Sequence, residues 1–553
     1  MVESDGGSRP GSAPAAPRPF VRRHRPHLLA LAAFVLLAVI HTWPLASRPG
    51  YYSRVDNGDY LLNAWVLDWV ATALPTHPRT IFDGNIFHPE KNTLAYSEPL
   101  LLQGVLAMPL VWSGASAVTT FNVVLLAGLA LSGWAFAWYC QSLTGSWWAG
   151  TLAGSMAIFN AHNLMRLAHI QALHLETVPL VFLGLQHMAA QGRPRDALLA
   201  GLALASQALI SLYQFVFVAW ALVCGMAARL LDAMRPLRLL LLTAAAVAVA
   251  AVAAWPVLMH YAELRYQYGL KRSPAEAAMY ASSWRDYLYT GARVHFDLWS
   301  HAFKASDGAF PGVLGAVLAV WGLLTTSIDR RHVRTWLFVF VGALALSLLP
   351  HLPGFAMLHA WLPPLQVIRA YSRAGQMALV AVAMLAGFGL AAALQRWPSR
   401  AGALGLAAVV LVNAEALRAP LWWAPFAGIS PVYATLAAEP NAVVAEMPVF
   451  RTRSIFGNAR YMLNATVHRH PIVNGYSGFM PPSYGPMQAS VASFPEGKAL
   501  AALHALGVTH VVVHANMMSG PRLDRIAQSP ALARVASDGP ITIYRLRSGG
   551  TSP

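Results

Sequence analysis

The sequence predicts an all-α polytopic membrane protein of about eleven transmembrane helices, followed by a small C-terminal α/β domain outside the bilayer. Three observations carry this expectation. Apolar residues fill 56% of the 553 positions against 11% charged, with a mean hydropathy of +0.47, far above an ordinary soluble domain. Apolar stretches long enough for a bilayer core of ~30 Å recur along the first three quarters of the chain. Arginines gather in short loops of one parity, whereas the long loops all fall on the other, as the positive-inside rule requires.

Residues 1–20 are rich in Gly, Ser, Pro and Ala without periodicity and read as part of a disordered cytoplasmic tail, 1–27. The cluster Arg22-Arg23-His24-Arg25 then precedes the first apolar run, 28–46, which lacks a small-residue cleavage site. It is expected to be an uncleaved first span with a cytoplasmic N-terminus. Further spans are expected at 118–140, 147–162, 170–188, 196–212, 213–231, 237–259, 309–327, 334–350, 374–394 and 401–418. Between them, Arg193 and Arg195, the Arg229–Arg238 cluster, Arg330–Arg334 and Arg396–Arg400 mark cytoplasmic loops. The opposite face then holds 47–117, 260–308, 351–373 and the segment after 419. Leu100–Trp112 is too short to span and contains Pro109; a crossing there would invert the loop charges, so it is placed as a re-entrant or interfacial helix.

The organisation is thus a tail (1–27), a transmembrane domain (28–418) with external loop 47–117, and an external domain (419–553). In the last, Ala442–Met447 and Val508–His514 read as strands and 498–506 as a helix. No repeat of 20–50 residues and no matched pair of broken helices is evident.

The net charge of +16 does not point to nucleic acid, because the basic residues punctuate apolar runs instead of forming a basic face on a soluble fold. Cys140 and Cys224 lie within apolar runs, so neither a disulfide nor thiol chemistry is expected.

Four groups of residues can carry chemistry. The first external loop places Asp56 and Asp59 just before an amphipathic stretch ending near Leu74; Asp59 reads either as a general base held at the membrane surface or as a helix N-cap, and Asp56 as a turn residue. Phe87-His88-Pro89-Glu90 and Glu98, beside Pro-kinked apolar segments, read as cavity lining, with a solvated turn as the alternative for Glu90 and Lys91. Arg166, His169, Gln171 and His174 crowd the mouth of a span, with Glu176 deeper, where ionisable groups usually face an internal cavity. The two histidines lack the i, i+4 spacing and third ligand of a zinc site, and interhelical hydrogen bonding is the plain alternative for each. Arg369 and Arg373 lie on the outer face against the charge trend and, a helical turn apart, suit one anion such as a lipid phosphate; snorkelling to headgroups is the alternative.

An acidic first external loop, external arginines near a late span and a C-terminal external domain occur together, and with them the chain resembles the GT-C superfamily of membrane glycosyltransferases. In layout it is similar to protein O-mannosyltransferases and the lipid A aminoarabinose transferase. The strings that carry the resemblance are Gly58-Asp59-Tyr60 with Trp65 and Trp69, Ile86-Phe87-His88-Pro89, His169-Ile170-Gln171, Ser211-Leu212-Tyr213-Gln214, Phe310-Pro311-Gly312, Arg369–Arg373, and His470 to Phe479.

The resemblance implies an inverting transfer of a monosaccharide from a polyprenyl-phosphate donor to an acceptor hydroxyl at the outer face of the bacterial inner membrane, the acceptor being a glycan, lipid or protein. It implies Asp59 as catalytic carboxylate with Asp56 as substitute, Arg369, Arg373 and Arg166 as donor-phosphate ligands, and His88, Glu98, His169, Gln171, His174 and Tyr213 lining the substrate cavity. The adjacent acidic pair of some members is absent, which leaves Asp56 and Asp59 both open; no metal ligands are named, and need for a divalent cation is open as well. The reading from another class is a transporter or flippase for a lipid-linked or sugar-like substrate, with the same polar cluster as its gate.

Overall fold

The computed structural model describes residues 20–305, 307–325 and 327–547. The expected tail lies mostly outside the described residues, and its last part is already helical: the first helix runs Phe20–His41, ahead of the expected 28–46. Among the described residues, seven helical segments are long and apolar enough to cross a membrane: His24–His41, Ala117–Thr144, Leu212–Leu230, Pro236–Tyr268, Arg330–His351, Tyr371–Arg396 and Pro398–Ala416. At the other four expected spans stand shorter helices, Trp147–Ile158, Val178–Gln191, Pro194–Ile210 and Val313–Leu324. At 1.5 Å per residue these reach only about 18–26 Å.

The shortening has local causes. Trp147–Ile158 stops where the Asn160 side-chain amide turns back onto the carbonyls of Met156 and Ala157, at 3.0 and 2.9 Å. The next helix cannot extend far backward from Val178 because Pro179 fixes its first turn. The segment expected to be one run through 170–188 is therefore irregular up to Thr177. Conversely, Pro236–Tyr268, at 33 residues, continues nine residues past the expected end at 259. Its length of about 50 Å exceeds a hydrocarbon core, and its end props up the first long loop: the Asn92 amide donates to the His260 carbonyl at 3.1 Å.

Gly375–Arg396 is the central helix, buried on nearly every side. Val313–Leu324 packs on it so closely that a Cβ at Gly322 or Gly389 would run into the opposing backbone carbonyl of Leu385 or Leu318. The outward faces of the long helices carry large apolar side chains without protein partners, Leu237, Leu241, Val252 and Trp255 among them, as a lipid-facing surface requires.

Leu101–Trp112, expected to be re-entrant or interfacial, is a 12-residue helix. The helix before it, Gly58–Thr76, differs from the amphipathic stretch expected there: Tyr60 to Asp68 are all buried. It is sandwiched between Ala117–Thr144 and the C-terminal region, so it has two packed faces instead of one.

Two short strands, β1 (Tyr52–Ser53) and β2 (Ala424–Pro425), pair antiparallel and tie the start of the loop to the end of the helical bundle. Beyond them stands a four-stranded sheet of β3 (Val444–Met447), β4 (His510–His514), β5 (Leu532–Asp538) and β6 (Ile541–Leu546), in the order β3-β4-β6-β5, with β3 and β4 parallel and the other pairs antiparallel. The first two strands and the helix Gly497–Ala505 follow the apolar pattern; β5 and β6 do not, because their solvent-facing residues break it. The segment after β3 returns to the long loop, where the Phe87 and His88 amides donate to the Asn474 and Ile472 carbonyls at 3.0 Å each.

Candidate functional site

Asp59 opens the helix Gly58–Thr76, but it is not the cap. That role belongs to Asn57, whose side-chain oxygen accepts from the Asp59 and Tyr60 amides at 2.9 and 3.3 Å. The Asp59 carboxylate is thus free for other partners. Its Oδ1 accepts from the Tyr476 hydroxyl at 2.7 Å, and its Oδ2 lies 3.2 Å from His169 Nε2. One turn along the same helix, the Asn63 amide holds the Ala168 carbonyl at 2.8 Å, which fixes the backbone next to His169. Burial pushes the Asp59 carboxyl up, but the hydrogen bond and charge of His169, the Tyr476 hydroxyl and the Arg373 guanidinium together hold it below the usual carboxylate range. Its side chain is still 40% exposed, so a substrate can reach it.

Tyr476 reaches this site from the C-terminal region. Two residues earlier, the Asn474 side chain clamps β3, accepting from the Glu446 amide at 2.8 Å and donating to its carbonyl at 2.9 Å. The sheet therefore sets the position of the tyrosine.

The three candidate phosphate ligands differ in their commitments. Arg166 makes a bidentate pair with the carboxylate of Asp307, one contact at 2.7 Å, and Asp307 also lies 3.2 Å from His162 Nδ1. Burial would raise the Asp307 carboxyl, but His162 and Arg166 more than offset it and lower it. Arg369 pairs with Glu276 at 3.2 Å and donates to the Tyr280 hydroxyl at 2.8 Å. Arg373 lies over the Tyr213 ring, 4.9 Å from its centre, and has no carboxylate within ion-pair distance among the described residues. Tyr213 organises both of the later arginines, since its hydroxyl accepts from the Arg369 amide at 3.3 Å. The expected helical spacing of Arg369 and Arg373 is not what joins them: only Tyr371–Ala374 is helical, as a 3₁₀ turn.

Other candidates stand elsewhere. Asp56 is held by Arg54 at 3.1 Å on an exposed turn. The Glu98 carboxylate accepts from the Leu212 amide at 2.7 Å, at the N-terminus of Leu212–Leu230; burial pushes its pKa up against Arg373 and these amides. His174 is fully buried, 3.1 Å from Glu176 Oε1, its ring filling the space over Gly128. Gln171 is buried nearby, and Gln376 binds the Ala172 carbonyl at 2.6 Å. His88 lines a different cavity, between Gly58–Thr76 and the C-terminal region.

Two residues of the candidate site were not placed beside their partners by the sequence. Tyr476 is 417 positions from Asp59, and Asp307 is 141 from Arg166. Tyr476 sat within a recognised string, His470 to Phe479, but its Asn-Gly turn accounted for that string equally well. Among the described residues no three His, Cys, Asp or Glu side chains gather as a metal site. Asp59 with His169 offers two ligand groups at most, so no step is assigned to a metal.

No protein-family model matches the sequence, and no curated protein matches it. Solved structures do. The chain has the fold of the GT-C membrane glycosyltransferases. It is similar to the arabinofuranosyltransferase AftD from Mycobacteria, with a TM-score of 0.60 and 15% identity over 95% of this chain, and to a mutant of that enzyme with 0.57 and 17% over 96%. The chain spans about 40% of the length of AftD. ArnT from Cupriavidus metallidurans, solved with undecaprenyl phosphate, aligns over 94% of this chain and 97% of its own at a TM-score of 0.49 and 13% identity. At these identities the property shared with AftD and its mutant is the fold.

Proposed function

We propose that the chain is an inverting glycosyltransferase that moves a monosaccharide from a polyprenyl-phosphate donor to an acceptor hydroxyl at the outer face of the inner membrane. Asp59 is the general base. The acceptor gives its proton to the Asp59 carboxylate as its oxygen bonds to the anomeric carbon, the bond from that carbon to the phosphate oxygen breaks on the opposite face, and polyprenyl phosphate leaves with the electron pair. Arg373 receives the charge that develops on this leaving group, with Arg369 beside it. His169 and Tyr476 orient the base and keep it ionised.

The observation that carries this reading is a reachable carboxylate with two orienting partners near a cation that makes no ion pair among the described residues. A base without a cation would not stabilise the leaving phosphate, and a cation already paired, like Arg166, would have to give up its carboxylate first. In this reading the long loops and the C-terminal region lie outside the cell membrane, the short helices complete eleven crossings, and Asp56 serves only the turn. The test is transfer from labelled polyprenyl-phosphate sugars by purified protein. Asp59→Asn is expected to lose at least ~10²-fold in rate, with Asp56→Asn near wild type; the reverse order overturns the assignment.

A further inference from the structure

A cavity away from Asp59 offers about 480 Å³ between the C-terminal half of Gly58–Thr76, the loop 83–91 and the start of the segment leading to Tyr476. Nothing in the transfer mechanism uses it. Its volume falls within the range of ordinary ligand sites, roughly 300–1,000 Å³.

The lining selects a class of ligand. Trp69 offers a flat ring, and Thr72, Thr76, Asn85, His77 and His88 supply short hydrogen-bonding groups around it. Two carboxylates, Asp83 and Glu90, face two cations, Lys91 and Arg469, so the formal charge of the wall cancels. Lys91 and Asp83 already lie 3.5 Å apart, and Glu90 accepts from the Ser483 hydroxyl at 2.5 Å. A phosphate or uronate would find no excess positive charge there. A lipid chain would have to lie against the four charged side chains of the wall. What fits is a neutral, hydroxyl-rich molecule with one apolar ring face, which is the chemistry of a sugar.

The cavity also stands at a defined distance from the base. Trp69, Thr72 and Thr76 share one rigid helix with Asp59, ten to seventeen residues further along. At 1.5 Å per residue that is about 15–25 Å. The segment from Arg469 to Tyr476 joins the same two places from the C-terminal side.

We propose that this cavity binds a neutral oligosaccharide, the body of an acceptor chain whose reactive end lies several sugar units away at Asp59. The assignment of an acceptor rests on the transferase reading; the saccharide site itself does not.

The experiment therefore measures binding without turnover. Full-length protein in nanodiscs, wild type and Asp59→Asn, is titrated calorimetrically with neutral gluco-, manno-, galacto- and arabino-oligosaccharides of two to six units, and with oligogalacturonides as the acidic control. Thr72→Phe places a ring in the void, and Thr72 spends its hydroxyl only on its own helix, so the fold should persist. Thr72→Ser, which leaves the void open, guards against a general effect of substitution at this position.

At least one neutral series is expected to bind more tightly than the acidic control, equally in wild type and Asp59→Asn. Thr72→Phe should weaken it at least tenfold and Thr72→Ser less than threefold. Absence of binding by every neutral series, or binding that Thr72→Phe leaves intact, overturns the proposal. If binding behaves as expected while Asp59→Asn retains full transfer, the saccharide site stands and the assignment of the base falls.

Discussion

The same three kinds of side chain meet in two places, and they do different work. At the loop, Asp59 is held by His169 at 3.2 Å and Tyr476 at 2.7 Å. Beneath the sheet, Glu446 is held by His514 at 2.6 Å and by the Tyr433 hydroxyl at 3.1 Å, with Asn464 donating to that hydroxyl at 2.9 Å. The Asp59 side chain is 40% exposed, whereas that of Glu446 is sealed at 0%. The charge of the Arg373 guanidinium also reaches the loop trio, although among the described residues no guanidinium lies within ion-pair distance of either carboxylate. A carboxylate, an imidazole and a phenol thus do not define a site. Access and a nearby unpaired charge do.

The contrast can be tested by separating rate from stability. The largest effect is expected from Arg373→Gln, which removes the cation facing the leaving phosphate: transfer should fall about 10²–10³-fold, the range for deleting one transition-state charge contact. Any fall in melting temperature should be modest beside the loss of rate: the buried Glu98 carboxylate loses the guanidinium that opposes its burial but keeps the Leu212 amide. Glu446→Gln should do the opposite. It leaves His514 buried without its carboxylate and should cost about 3 kcal/mol, the low end for breaking a buried pair, seen as a lower melting temperature by scanning fluorimetry. Residual transfer per folded molecule should stay near wild type. Equal loss of rate per folded molecule in both variants would erase the distinction.

A smaller effect is expected from Tyr476→Phe. The hydroxyl helps to hold the Asp59 carboxyl below its usual range. Without it the folded-state pKa rises, and because the base works only when ionised, the acid limb of the rate profile should move to higher pH. A few-fold loss of rate at neutral pH is expected with it. An unmoved acid limb would mean that the tyrosine does not touch the working carboxylate.

The smallest effect concerns the second carboxylate on the Asp59 helix, Asp68, which burial pushes up to about 6 against the pull of Arg469. A raised carboxyl pKa means that the folded state pays for the ionised form. Stability contributed by the protonated form is therefore lost as pH rises from the unfolded value, ~3.9, to about 6. Asp68→Asn should raise the melting temperature by a few degrees near pH ~8 and by nothing near pH ~4.

Much of the fold was legible in the sequence because lipid imposes long apolar runs and charge imposes loop parity. The limits of that reading are local. Runs such as 147–162 and 170–188 are apolar on average, yet Asn160 ends one helix early and Pro179 delays the start of the other, which hydropathy averages away. Strands β5 and β6 lack an apolar run: four of the seven residues of β5 are exposed, and Thr542 and Arg545 interrupt β6. At the site, Asp59 and Arg373 were visible as charges in unusual places. That Asn57, two residues earlier, takes the cap and frees Asp59 depends on backbone angles no residue pattern states. Tyr476 and Asp307 became partners only through contacts across the folded chain.

The most direct measurement is a cryo-EM structure of the full-length protein in nanodiscs with undecaprenyl phosphate. The phosphate is expected against Arg373, within hydrogen-bond distance of its guanidinium and on the side of the cavity facing Asp59, while Arg166 stays on Asp307. A phosphate bound by Arg166 with Asp307 displaced, or seated away from both Arg373 and Asp59, would contradict the account.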